Sequence, residues 1–134
     1  MNGLELGDLV KSHLESTVTA RTVYAGAVPD GTLPARYLVV WTSEGSEEAT
    51  RSCGTTNVQT PVVWVTSVSR STAPNVAARE AAWGAARARA ALRGFRPEGR
   101  WRFTPETSSP ARRDESISAT TFYAVEQFTL RSTI

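Results

Sequence analysis

The 134-residue sequence contains one cysteine, one histidine, one methionine and one lysine. A single cysteine, Cys53, excludes an internal disulfide, and a reducing compartment is the expectation. Metal binding needs several His, Cys or carboxylate ligands together. The only acidic cluster is Glu44, Glu47 and Glu48, in a polar stretch that reads as a solvated loop. No apolar run approaches the roughly 20 residues of a membrane span. The opening "MNGLELGDLVKSHLES" has early acids and no basic region before an apolar stretch, so no signal peptide is expected. There is no glycine-rich phosphate loop and no Gly-x-Ser-x-Gly elbow. Cys53 has no histidine near it in sequence. His13 falls on the apolar side of the first amphipathic stretch, where a packing role is expected. The expectation is a non-enzyme with no cofactor and no metal.

What the chain does have is arginine. The net charge is only +2, but residues 1–50 hold three basic and seven acidic side chains. Residues 87–113 hold eight arginines against Glu98 and Glu106. Arginine in place of lysine suits planar, desolvated contacts such as protein interfaces. A nucleic-acid footprint is the rival reading of the basic segment. The length suits one domain spanning 1–134 with a single core.

Leu6, Leu9, Val10, His13, Leu14 and Thr17 recur at helical spacing, which predicts a helix over roughly 4–17. "TARTVYAG" can form a first strand, and "VPDGTLP" reads as a loop. "ARYLVVWTS" and "TPVVWVTSVS" are strong strands, β-branched and aromatic, and "EATRSC" between them could pair as a strand. A helix follows over "NVAAREAAWGAARARAALRGF", capped by Ser71 or Thr72 with Pro74 in its first turn. Gly94 is expected in a left-handed terminal position, with Phe95 packing back. "GRWRFTP" alternates arginine with aromatics, "ETSSPARRDES" reads as a long polar loop, and "ATTFYAVEQFTLRST" is a closing strand. The fold class is α+β: a mostly antiparallel sheet of four to five strands with two helices packed on one face.

A sheet with one wet face should alternate apolar with polar residues. Here residues 37–41 and 62–65 are apolar on both faces. In the last strand Phe122, Ala124, Phe128 and Leu130 share one face, and Tyr123 and Val125 the other. The second face needs a cover, most simply another copy of the chain, the alternative being the chain's own long loops folded over it. The second helix points the same way. Ala77, Ala81, Ala85, Ala88, Leu92 and Phe95 form one stripe towards the sheet. Trp83 lies on the far side between Arg79 and Arg87, where a subunit contact or a surface stack of arginine on indole is expected. In "ARRDES", Arg112 and Arg113 precede Asp114 and Glu115, which suits either a docking loop paired across an interface or a locally neutralised hairpin. Arg79, Trp83, Arg87, Arg112, Arg113, Asp114, Glu115 and Tyr123 are the candidate interface residues.

The ordered pieces "VVWVTSVSRSTAPNVAAREAAWGAARARAALRGFRP" and "SSPARRDESISATTFYAVEQFTLRST" resemble the tail terminator (tail completion) proteins of long-tailed bacteriophages, those of actinobacteriophages especially. The resemblance spans roughly residues 60–134. It implies a structural virion protein, made in the host bacterial cytoplasm and residing at the tail–neck junction. Such proteins form six-membered rings that cap the head-proximal end of the tail tube and stop its polymerisation. The implied partners are other copies of itself, the major tail tube protein, a head–tail connector or head-closure protein, and the tape-measure protein. Genomic DNA passes through the lumen without sequence-specific binding, and no membrane is involved. The alternatives are another neck protein of head-closure type, or a small nucleic-acid-binding module using the basic 87–113 segment.

Overall fold

The computed structural model describes residues 3–43, 47–49, 57–59, 61–99, 101–116 and 120–132. Cys53, Glu44 and Arg100 lie outside the described residues. The chain opens with helix α1 (Gly3–Thr17), strand β1 (Thr22–Ala25) and strand β2 (Arg36–Ser43). Strands β3 (Glu47–Ala49) and β4 (Asn57–Gln59) pair antiparallel as a small separate ladder, so part of "EATRSC" does pair. Strand β5 (Val62–Arg70), helix α2 (Pro74–Arg93) and a 3-10 turn (Pro97–Gly99) follow. The chain then forms β6 (Trp101–Ser108), β7 (Arg112–Arg113) and β8 (Thr121–Ser132).

The main sheet is six-stranded, ordered β1-β2-β5-β8-β6, with β7 also paired to β8. Every pairing is antiparallel except β1 with β2. Both helices pack on one face, α1 over β1 and β2, α2 chiefly over β5 and β8. This is the α+β arrangement that the periodicities predict. The expected long loop over 106–116 is shorter than that: β6 runs to Ser108, and Arg112–Arg113 return to β8. A register shift between Pro105 and Thr107 bends β6, the free edge beyond β8. A proline and a bulge on an edge oppose further strand addition there.

Register assigns the faces. Leu38, Val40, Val63, Val65, Phe103, Phe128 and Leu130 point to the helices and form the core with Leu6, Val10, Leu14 and Val23. Over β5 the buried stripe of α2 is Ala77, Ala81, Gly84, Ala85, Ala88 and Leu92. Gly84 is there because nothing larger fits. A Cβ at this position would overlap Ser67 Oγ and sit 3.2 Å from Ser67 Cβ and 3.4 Å from Leu38 Cδ2. The small stripe lets the helix axis approach the sheet, and the strands supply the bulk. Ser67 and Ser69 are themselves fully buried beneath it.

The ends of α2 differ from expectation. Its N-cap is Ala73, with no side-chain cap; the Ser71 hydroxyl instead accepts from the Ala73 N–H at 3.3 Å. Pro74 opens the helix, as anticipated. Gly94 has φ −90°, so it is right-handed rather than left-handed, and the Phe95 N–H donates to Leu92 O at 3.1 Å. The turn can end this way because Phe95 is held by stacking. Its ring lies 3.9 Å from that of His13 and 5.8 Å from that of Phe103. His13 Nε2 lies 3.1 Å from Ala91 O, tying α1 to the end of α2. The lone histidine is thus a packing residue between helices.

Candidate interaction surface

The face of the sheet away from the helices is built in rows by the register. Tyr37, Val68, Tyr123 and Arg112 stand across β2, β5, β8 and β7. Tyr24, Val39, Thr66 and Val125 form the next row, across β1, β2, β5 and β8. Trp41, Trp64, Gln127 and Thr107 form the third, across β2, β5, β8 and β6. The Thr107 hydroxyl donates to Gln127 Oε1 at 3.2 Å. No described helix covers these rows. Tyr24, Tyr37, Trp64, Val68, Tyr123 and Val125 are half-buried, Val39 is 4% exposed, and Trp41 is 41% exposed. The ring of Tyr24 meets that of Tyr37 edge-on at 5.7 Å. Burial pushes the Tyr37 phenol above its ordinary pKa; Arg70 works against that shift, and Tyr24 and Asp114 add to it.

A second surface feature centres on Trp83, which is 40% exposed on the outer side of α2. Arg87 lies over the indole, its Cζ 5.4 Å from the ring centroid. The other cation is Arg21, at 4.6 Å, not Arg79. Arg79 is exposed and makes no ion pair or ring contact among the described residues. Arg21 is nearly buried, and its Nη2 donates to Glu80 Oε2 at 2.9 Å and to Glu80 O at 3.3 Å. Arg36 Nε approaches the same carboxylate oxygen at 3.9 Å. Arg21 and Glu80 are 59 positions apart, and no local pattern marks that pairing.

The fold takes the "ARRDES" group apart. Arg112 stands opposite Tyr123 on the open face, while Arg113 stands opposite Phe122 and so on the helix face. Asp114 does not pair with either; its Oδ1 accepts from Ser116 N–H at 3.0 Å and from the Ser116 hydroxyl, closing a local turn. Glu115 is exposed. Arg112 therefore joins Tyr123 on the open face, and Asp114 is near enough to Tyr37 to act on its phenol.

The basic segment is dispersed in the same way. Arg87 covers Trp83. Arg89 donates to Ser108 Oγ at 2.5 Å and lies 3.6 Å from the buried Glu126 carboxylate, which also accepts from the Ser108 hydroxyl. Of the three only Glu126 is buried, and its partners come from α2 and β6, distant in sequence, so no local pattern marks the group. Arg93, Arg96 and Arg102 line one open groove beside Phe103, Thr104 and Pro105. Among the described residues no group of three His, Cys, Asp or Glu could hold a metal ion. No described helix is long and apolar enough to cross a membrane. No known protein-family model matches the chain, and no curated protein matches it.

Proposed function

We propose that this chain is a structural assembly protein of the tail-terminator kind. It forms a ring of identical copies that caps the head-proximal end of a bacteriophage tail tube, halts tube growth and joins the tube to the head connector. The observation that carries this reading is the open sheet face. A face that sets Trp41, Trp64, Tyr37 and Tyr123 in register and has no described helix over it is suited to burial against another protein surface. Trp83 between Arg21 and Arg87 supplies a second contact of the Trp and Arg type enriched at interface hot spots. Two different surfaces on one subunit suit a head-to-tail contact, which closes into a ring when the rotation allows. The chain acts by shape and binding, with no chemical step.

The test is assembly. The purified chain, alone and mixed with a tail tube protein from the same genome, is imaged by negative stain and sized by sedimentation. Six-fold rings, or tubes whose growth stops at one capped end, support the reading. A chain that stays monomeric and neither binds nor arrests the tube overturns it.

A further inference from the structure

We infer that the groove between the end of α2 and edge strand β6 is a binding site for the phosphate backbone of double-stranded nucleic acid, engaged without sequence readout. Of the eight arginines in residues 87–113, folding brings Arg93, Arg96 and Arg102 together around this one groove. All three are exposed, and none is in an ion pair with a described carboxylate. No carboxylate is among the described residues that line the groove; Glu106 of β6 is engaged by Arg131 at 3.7 Å. Arg96 is partly oriented, since its Nη1 donates to Arg93 O at 2.8 Å and Phe95 O at 3.2 Å, leaving the rest of its guanidinium free. Arg102 also stands directly opposite Arg131 across β6 and β8. Like charges so placed repel, and a bound polyanion relieves that repulsion.

The lining selects the class of ligand. The site is open and its cations are solvated, so one small anion would gain little from each contact. A polymer that meets all three releases counterions at each, and that term gives useful affinity. The remaining lining is Phe103, Thr104 and Pro105, with Phe103 only 2% exposed. Among the described lining residues there is thus no exposed aromatic on which an unpaired base could stack, and no apolar anchor of the kind protein hot spots use. A phosphate backbone needs neither. The inference stands apart from the ring reading, because a single copy carries the whole groove.

The experiment is fluorescence anisotropy of two labelled DNA duplexes of unrelated sequence, titrated with the full chain at several salt concentrations. Three phosphate contacts contribute about −2.7 to the slope of log affinity against log salt, or a loss of about 40-fold between 50 and 200 mM. The expected result is equal binding of both duplexes. The Arg93→Gln/Arg96→Gln/Arg102→Gln variant should have a slope shallower by about 2.7, and each single variant a slope shallower by about 0.9. Arg112→Gln/Arg113→Gln, remote from the groove, should leave the slope unchanged. Thermal melting verifies that the variants fold, and sedimentation follows assembly separately, so loss of duplex binding with assembly intact isolates the groove. The assignment is overturned if the folded triple variant keeps the wild-type slope, if neither duplex binds at low salt, or if poly-glutamate binds the groove in preference to DNA. That last outcome would mark an acidic protein segment as the occupant.

Discussion

Arg21 places its guanidinium 4.6 Å from the centre of the Trp83 indole while its Nη2 donates to Glu80 Oε2 at 2.9 Å. The tryptophan is therefore supported from within by a nearly buried cation, has Arg87 over its ring as well, and remains 40% exposed. Trp83→Ala should leave the monomer folded, with a stability loss of about 1 kcal/mol from the lost cation–π and packing contacts. It should also weaken self-association. Arg21→Ala should cost more, about 2–3 kcal/mol, because Glu80 loses its close partner. Urea denaturation compared with sedimentation separates the two effects. A Trp83→Ala chain that does not fold would place the residue in the core.

Gly84 of α2 lies against Ser67 of β5 with no room for a Cβ between them. Alanine is the better helix former by about 1 kcal/mol. Gly84→Ala should nevertheless destabilise the protein, since overpacking commonly costs about 1–3 kcal/mol. Ser67→Gly in the same chain should recover most of that loss, giving a coupling of opposite sign to the single effect. Ser67→Ala alone should be close to neutral, because the Ser67 hydroxyl is buried without a hydrogen-bond partner among the described residues.

The open face can be tested without touching the core. Trp41→Arg and Tyr123→Arg change side chains that face away from both helices. Each should shift monomer stability by no more than about 1 kcal/mol. Each should also abolish assembly, because an interface core does not tolerate an unpaired charge. Retained assembly in both variants would move the interface off this face.

Tyr37 gives a pH signature. The ordinary tyrosine pKa is 10.0, and burial raises that of the folded chain. The unfolded chain thus loses this proton first as pH rises. The stabilising contribution is complete below about pH 10 and is lost as pH climbs through the folded value. Denaturant melts taken between about pH 9 and 11 should show stability falling, and less steeply in Tyr37→Phe. Equal slopes in the two proteins would assign the fall to other groups.

Much of the architecture was legible because one periodicity ruled each segment. The alternation of Tyr37, Val39 and Trp41 with Leu38 and Val40 places both faces of β2, and the same holds for β5 and β8. The alanine spacing marked the buried side of α2, and Pro74 marked its start. Gly84 lay on that same spacing, so its role was readable in principle. What could not be read depends on contacts far apart in sequence. The parallel pairing of β1, the return of Arg112 and Arg113 to β8 and the partnership of Arg21 with Glu80 leave no local pattern. Gly94 shows the converse, a strong local preference overridden when Phe95 stacks between His13 and Phe103. The candidate surface was legible as a face but not as a group: the adjacent Arg112 and Arg113 end on opposite sides of the sheet.

Strand β8 lies in the sheet interior, with β5 along one edge and β6 and β7 along the other. It is also the last of these elements to leave the ribosome. Until it arrives, β5 presents an unpaired edge and Phe103 lacks the Phe128 ring that it meets at 6.4 Å. The nascent chain cannot close its core piecemeal, because the ladders that join its halves are long-range and wait for β8. Throughout that interval the valines of β5 are open to other unfinished copies, the usual route to aggregation. The same central strand that makes the finished sheet cooperative makes its synthesis the vulnerable stage, and weaker expression, which keeps fewer unfinished copies together, should raise the yield of soluble protein.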